Sequence, residues 1–389
     1  MFCLAQPFFL YCVSPLHAGS GSDLGVIDLP IQREKHTGFP KMESSGLKGG
    51  MRHALTQKLG NNPKNLSRIT AAFGPEDGDL YAGALGFSDA RLLLFPVKSL
   101  QGIFAWATCP TLLQRFRNEL QICLDLAQEN GPAANPEQQA TPQNRQITAQ
   151  NTAQAGIKKQ ILETAGLKKA MELLNNLLLS CPPTDLALAP PNSPLLLQYQ
   201  NHTNQVIVLE EYAFPVEQRK DALTCWSKFT NWLCCQLFNS ASPMANLMAE
   251  QTVLLPDDAL RDFTELSTEV ATRIKIDTST GTVKKGGLFT EEYLPAESVL
   301  YALALASPLP GQSRESFFPA NDKKTPAPSP EEPPCGLQDA TAVLEFFFEN
   351  VPKTVQLGGN ATLGKGITRV CRLHQLPGEG KPDDANARN

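Results

Sequence analysis

The chain has 389 residues, 42% of them hydrophobic and 19% charged, a globular balance that buries one large core or two ordinary ones. A formal net charge of −5 excludes a generally basic coat for nucleic acid, so contacts of that kind must come from local clusters: Arg33, Lys35, Lys41, Lys48 and Arg52, then Lys284 and Lys285, then Lys365, Arg369 and Arg372. Ten cysteines are scattered without a CxxC pair, which argues against a secreted disulfide scaffold and fits reduced thiols in a cytoplasmic protein.

The opening MFCLAQPFFLYCV is apolar, but it lacks a positive n-region, is interrupted by Pro7 and is too short to span a membrane. It reads as the first strand, with Phe8 to Ser14 ending at Pro15. Residues 14–52 then gather glycines, bases, acids and histidines in little length. A glycine-bearing loop carries His17, Asp23, Asp28, Arg33, Glu34, Lys35 and His36 and closes at Phe39-Pro40. A helix is expected over Ser45–Leu59, capped by Ser44 or Ser45, with the N–H groups of Gly46, Leu47 and Lys48 pointing forward at the positive end of its dipole. A phosphate there would also meet the side chains of Lys48 and Arg52. The segment therefore reads as a strand, a reactive loop and a phosphate-gripping helix, with nucleic acid the natural ligand.

Downstream, Asn61 to Ser67 reads as a polar turn. The run from Gly74 to Gly86 carries Glu76, Asp77 and Asp79 but lacks the ligand spacing of a calcium loop. Ser88–Val97 and Gly102–Thr108 read as a hairpin of the central sheet, and Thr111–Gln128 as an amphipathic helix. Residues 130–154, rich in Gln, Asn, Ala, Pro and Thr, read as a flexible insertion into a single domain. Residues 309–334 read as a second, proline-rich insertion, and 376–389 as a polar tail. Between them come a helix over Gly156–Ser180, a proline-rich connector, a strand over Gln205–Tyr212 and a helix over Val216–Phe238. The tryptophans of that last helix are assigned to the core rather than to base stacking.

A helix capped by Asp257 or Asp258 precedes a hairpin, Thr272–Ile276 and Gly287–Tyr293, around Asp277-Thr-Ser-Thr-Gly-Thr, with Lys284 and Lys285 on one arm. A strand over Ser298–Ala306, a helix over Asp339–Glu349 and a strand over Gly366–Leu373 complete the series. Strands that alternate with helices and also pair as hairpins indicate an α+β fold with antiparallel pairing.

Two glycine motifs imitate nucleotide fingerprints. Gly19 to Gly25 is one residue too long for a dinucleotide loop and runs into Val26-Ile27 instead of a helix. Gly359-Asn-Ala-Thr-Leu-Gly-Lys365 has glycine at 366 where a Walker loop needs a hydroxyl, and a strand follows it. What remains is a nest of N–H groups beside Lys365, built on Gly359, Gly364 and Gly366, able to hold a phosphodiester. One carboxylate in a loop, alone or holding a divalent cation, suffices to assist attack of an RNA 2′-hydroxyl on its neighbouring phosphate.

His17-Ala-Gly-Ser-Gly, Asp28-Leu-Pro-Ile-Gln-Arg-Glu, His36-Thr-Gly-Phe-Pro and the Gly46-Leu-Lys-Gly helix start resemble the RAMP superfamily of CRISPR-associated proteins, in particular the backbone subunits of type III-B complexes. Ala72-Phe-Gly-Pro, Leu85-Gly-Phe-Ser-Asp-Ala, Val208-Leu-Glu-Glu-Tyr, Gly287-Leu-Phe-Thr-Glu-Glu and Gly358 to Gly366 extend the match along nearly the whole chain. The resemblance implies an RRM-like, ferredoxin-like core with helical insertions and a β-hairpin thumb, for which Arg273 to Glu292 is the candidate. It implies a catalytic aspartate at Asp28, with His17, Glu210 and Tyr212 near the same site and magnesium or manganese at Asp28. RNA contacts are expected at the α-helix start, at Lys284 and Lys285 and at the terminal glycine loop.

The implied function is an RNA-guided endoribonuclease. Copies would stack in a filament along a guide RNA beside other subunits of the complex, and each would cut the paired single-stranded target RNA. Two alternatives stay open: a purely structural RNA-binding subunit, and a guide-processing ribonuclease.

Overall fold

The computed structural model describes residues 2–60, 62–75, 82–129, 165–181, 185–198, 205–238, 242–309, 337 and 339–374. The insertion expected at 130–154, the one expected at 309–334 from residue 310 on, the acids Glu76, Asp77 and Asp79, and the tail 376–389 lie outside these residues.

The first strand, β1 (Leu4–Cys12), is buried from Ala5 onward. Phe8, Leu10 and Cys12 enter one core while Ala5, Phe9 and Tyr11 enter a second. That is why its sequence alternates so weakly: a strand covered on both faces has no polar side to show. It pairs antiparallel with β12 (Val299–Ala306) on one flank and β14 (Ile367–Arg372) on the other, and β12 continues antiparallel to β4 (Ala90–Lys98). Helix α1 (Ser44–Leu59) lies between β1 and β4, and α8 (Ala340–Asn350) between β12 and β14. The order β14-β1-β12-β4 with these crossovers is the split βαβ arrangement of a ferredoxin-like core.

The sheet extends through β5 (Phe104–Thr108), antiparallel to β4, and β9 (Thr252–Leu254), parallel to β5, with β13 (Thr354–Gln356) at the opposite edge. The short β2 (Lys41–Met42) and β3 (Leu85–Phe87) pair with β4 and β12. Helices α1, α2 (Pro63–Phe73) and α8 fill one face. Helices α3 (Pro110–Glu129), α4 (165–179), α5 (Lys220–Leu237) and α6 (Pro243–Gln251) fill the other, around Trp106, Trp226 and Trp232, all buried as expected. An ordinary RRM leaves one sheet face open to stack bases. Here helices take that face, so RNA must be met by loops and hairpins at its margin.

Several elements depart from expectation. The turn expected over Asn61–Ser67 is the start of α2: the Asn62 side chain accepts the Asn65 N–H at 2.9 Å and Pro63 occupies the first helical position. The strand expected over Gln205–Tyr212 is a hairpin, β7 (Gln205–Leu209) and β8 (Tyr212–Pro215), which turns at Glu210 with φ of 48° and forms a small sheet with β6 (Leu197–Gln198). Helix α7 (Asp257–Leu266) is not capped by Asp257 or Asp258, because Asp257 Oδ1 instead accepts the Thr111 N–H at the start of α3.

A separate two-stranded arm, β10 (Glu269–Ile276) and β11 (Val283–Tyr293), stands clear of the core with Val270, Ile274, Ile276, Val283 and Leu288 exposed. It coincides with the candidate thumb. The nine described cysteines are all free, and no helix among the described residues is long and apolar enough to cross a membrane.

Candidate active site

Three segments meet at the base of the arm: the loop after β1, the inner end of β11, and the glycine loop between β13 and β14. The first loop is stitched to β11 by the Leu29 N–H donating to Thr290 O and the Glu292 N–H donating to Leu29 O, each at 3.0 Å. It is stitched to the glycine loop by Gly359 N–H to His17 O at 2.9 Å and Gly366 N–H to Pro15 O at 2.8 Å. Gly358, at φ of 72°, admits this approach: a Cβ there would lie 2.3 Å from His17 O.

Side chains alternate along β11. Thr290 and Glu292 face the Asp28–Arg33 stretch, and Glu291 and Tyr293 face His17 and the glycine loop. Asp28 is exposed. Its N–H donates to Thr290 Oγ1 at 2.9 Å, while its Oδ2 accepts from the Thr290 N–H at 2.7 Å and from the Thr290 hydroxyl at 2.9 Å. Those donors, the backbone N–H first, hold the Asp28 carboxyl below the usual carboxylate range, so it is ionised at neutral pH.

Glu292 is 2% exposed. Its carboxylate accepts from Arg33 at 2.5 Å, from the Ile31 N–H at 3.0 Å and from the Thr268 hydroxyl at 2.8 Å. Arg33 also donates to Gly38 O and Thr264 O, each at 2.9 Å, so it anchors the loop to α7 as well.

On the other side of β11, His17 Nδ1 lies 2.7 Å from Glu292 O, and its Nε2 lies 3.7 Å from Glu291 Oε1. Burial pushes the Glu291 carboxyl up. Hydrogen bonds from Tyr293 and Asn360 and the charges of His17 and Arg273 outweigh it, and the group stays below its ordinary range. Asn360, in the left-handed region at φ of 62°, donates to Glu291 at 2.6 Å and to the Tyr293 hydroxyl at 3.0 Å. Arg273 donates to the same hydroxyl at 2.7 Å. Lys365 Nζ sits 4.7 Å from the centre of the Tyr293 ring, half-buried and with no acid partner among the described residues.

Asp28, His17 and Lys365 are thus brought to the base of one hairpin. Glu210 and Tyr212 are not. Glu210 sits in the β7–β8 turn with its N–H on Lys98 O, and Tyr212 packs its ring 5.9 Å from Phe263 of α7. Among the described residues no contact ties either to Asp28 or His17. The acid and phenol beside His17 are Glu291 and Tyr293, which share the two-residue spacing of Glu210 and Tyr212. An acid-aromatic pair of that spacing is legible in sequence, but which of two such pairs lies near His17 depends on long-range packing.

The α1 start also differs. The helix begins at Ser44 with Glu43 as its N-cap and no side-chain cap. Asp89 Oδ1 accepts the Ser44 N–H at 2.9 Å, and Leu47 N–H is already bonded to Glu43 O, which removes Leu47 from the forward-pointing donors and leaves Gly46 there. Lys48 is half-buried, and burial beside the Arg52 charge holds its pKa below the ordinary value. Arg52 is turned to Gly74 O at 2.9 Å and Pro75 O at 3.4 Å. The expected amide nest is largely occupied from within: Gly359 and Gly366 bond the first loop, Gly364 bonds Ala361 O, and Lys365 bonds Asn360 O. The loop's outward group is therefore the Lys365 side chain. Lys284 and Lys285 are exposed on β11, further along the arm.

As a metal site the cluster is sparse. No group of three His, Cys, Asp or Glu among the described residues could hold a metal ion. Asp28 offers one carboxylate, its Oδ2 already engaged by Thr290, a donor that a magnesium-like ion, which keeps most of its waters, can use.

A family model described as the RAMP superfamily matches residues 9–369. A curated relative from Pyrococcus furiosus, the CRISPR system Cmr endoribonuclease Cmr4, is 30% identical over 364 residues, covering 93% of each chain. The CRISPR system CMR subunit Cmr4 of Saccharolobus solfataricus is 22% identical over 379 residues, 96% of this chain and 98% of that one. Among solved structures, oligomeric Cmr4 from Pyrococcus furiosus superposes with a TM-score of 0.54 at 24% identity, covering 96% of this chain and 98% of that one. A chain of the type III-B Cmr-beta complex bound to cognate target RNA superposes with a TM-score of 0.59 at 19% identity, with the same coverage. At those identities the two structures speak for the fold, and the 30% sequence match and the family model speak for the lineage. The chain belongs to the RAMP superfamily and, within it, to the Cmr4 family of the type III-B CRISPR system.

Proposed function

We propose that this protein is the backbone subunit of a type III-B CRISPR effector complex, stacking with copies of itself along a guide RNA and cleaving the paired target RNA at Asp28. The observation that carries this reading is an exposed, ionised carboxylate held in a loop at the base of a projecting arm, in a chain whose Pyrococcus relative is named an endoribonuclease.

Asp28 accepts the proton of the target's 2′-hydroxyl as its oxygen bonds to the adjacent phosphorus. The bond from phosphorus to the 5′-oxygen breaks, and that oxygen takes a proton from solvent water as it leaves, giving a 2′,3′-cyclic phosphate and a 5′-hydroxyl. Asp28 would hold a divalent cation, which would supply neutralisation of phosphate charge when bound. Lys365, with no acid partner among the described residues, meets a phosphate of the backbone. His17, braced by Glu291, is a second proton-handling group at the same hairpin base.

The observation that favours a purely structural subunit is that Asp28 also orders its loop through Thr290. Reconstitution with guide RNA and labelled complementary target separates the two. Asp28→Ala is expected to assemble and capture target while cleavage falls by about two to four orders of magnitude. Asp28→Asn, which keeps an acceptor for Thr290, should be nearly as inactive. Cleavage at the wild-type rate by either variant overturns the catalytic reading.

A further inference from the structure

We infer that Thr290 is the positioning residue for Asp28, and that through it the cleaving loop is clamped to the projecting arm. The inference rests on the reading of Asp28 as the cleaving carboxylate.

One hydroxyl does two jobs: Thr290 Oγ1 accepts from the Asp28 N–H at 2.9 Å and donates to Asp28 Oδ2 at 2.9 Å, the nearer of its two acceptors, with Val26 O at 3.3 Å. The Thr290 N–H adds a third bond to the same oxygen at 2.7 Å. A carboxylate on an exposed loop would otherwise rotate freely. Here its Oδ2 edge is pinned against a strand, and the direction of Oδ1 follows from that. The preceding residues hold the backbone but not the carboxylate: Leu24, Gly25 and Val26 are exposed, the Asp23 N–H donates to Asp28 O at 2.9 Å, and the next anchor along the chain is the Leu29 N–H on Thr290 O at 3.0 Å. Thr290 is itself seated in the arm, opposite Thr272 of β10, so a shift of the arm's inner end carries Asp28 with it. Alignment of a base with the hydroxyl it deprotonates is worth large factors in rate, and a misplacement of about 1 Å costs about a hundredfold.

The test uses the complete complex reconstituted with guide RNA and labelled target, under single-turnover conditions, with wild type, Thr290→Val, Thr290→Ser and Asp28→Ala. Thr290→Val keeps a β-branched strand residue and the backbone N–H but deletes the hydroxyl. It is expected to slow cleavage by about tenfold to a hundredfold with target capture unchanged, since outer residues that orient a reacting group have effects of that size. Thr290→Ser restores the hydroxyl and should restore the rate.

If Asp28→Ala is inactive while Thr290→Val matches wild type in rate, the inference fails and the assignment of Asp28 stands. If Asp28→Ala cleaves normally, the assignment of Asp28 itself fails. Loss of target capture by Thr290→Val, or a slow Thr290→Ser whose thermal stability is that of wild type, also overturns the inference.

Discussion

His17 is held at both ends of its ring by consecutive residues of one strand, with Nδ1 2.7 Å from Glu292 O and Nε2 3.7 Å from Glu291 Oε1. A ring nitrogen facing a carbonyl must donate, so the tautomer is fixed and Nε2 is the nitrogen left to exchange a proton. His17→Ala and Glu291→Gln should each slow cleavage less than Asp28→Ala. Their double mutant should fall short of the summed effects, with a coupling of about 0.5–3 kcal/mol. A double-mutant cycle on single-turnover rates measures this, and strict additivity would show that the pair does not act together.

Lys365 and Arg52 were equal members of the expected phosphate grip, but their surroundings separate them. Lys365→Ala should weaken RNA binding for all sequences alike and lower the slope of log affinity against log salt by about 0.7–0.9, the value of one phosphate contact. Arg52 donates to two carbonyls at the end of α2, so Arg52→Ala should lower unfolding free energy by about 1.5–3 kcal/mol instead. Filter binding across a salt series, beside urea unfolding, reads both.

Glu292 ties Arg33, Thr268 and the Ile31 N–H together at 2% exposure. Glu292→Ala leaves Arg33 without its carboxylate and should cost about 3 kcal/mol, with Glu292→Gln costing less. Urea midpoints of the isolated subunit check the order of the two.

Glu34 gives a pH signature. Burial raises its carboxyl, but hydrogen bonds from Thr37 and Arg115 and the charges of Arg115 and Arg91 outweigh this and leave it below its ordinary 4.5. A depressed carboxyl contributes stability that is fully present above the ordinary value and is lost as pH falls through the lower folded one. Glu34→Gln should therefore be less stable than wild type at neutral pH, with the gap closing below 4.5. A gap that widens on acidification would show that the ion-pair cluster is not what the carboxylate stabilises.

The α+β class, the β4–β5 hairpin, α3, the arm and the closing strand were all legible, because period and turn chemistry are local properties. The tryptophan helix was legible too, since an apolar stripe of that size has few places to go. The start of α2 was missed although Asn62-Pro63 is a cap followed by a first-turn proline; the polar residues around it masked the signal. The β7–β8 turn was missed because Glu210 at φ of 48° is not a residue that announces a turn. Around the candidate site, Asp28 and His17 were pointed to by the family resemblance, and Lys365 by its place in a glycine-rich loop. Thr290, Glu291 and Tyr293 belong to it through strand register, which brings residues about 270 positions apart into contact and leaves no trace in spacing.

The place of β1 between β12 and β14 also sets a clock on synthesis. Its partners lie late in the sequence, and pairing of that separation is slow because the intervening chain must be closed before any contact rewards it. On the ribosome, β1 and the Asp28 loop emerge long before the strand they dock on and the glycine loop that seats His17. A nascent chain thus carries an apolar strand in need of shelter and no assembled cleft, which makes chaperone capture its natural early fate. Nuclease competence then arrives in one late step, when the last strand zips in, so a subunit reaches RNA either complete or not at all.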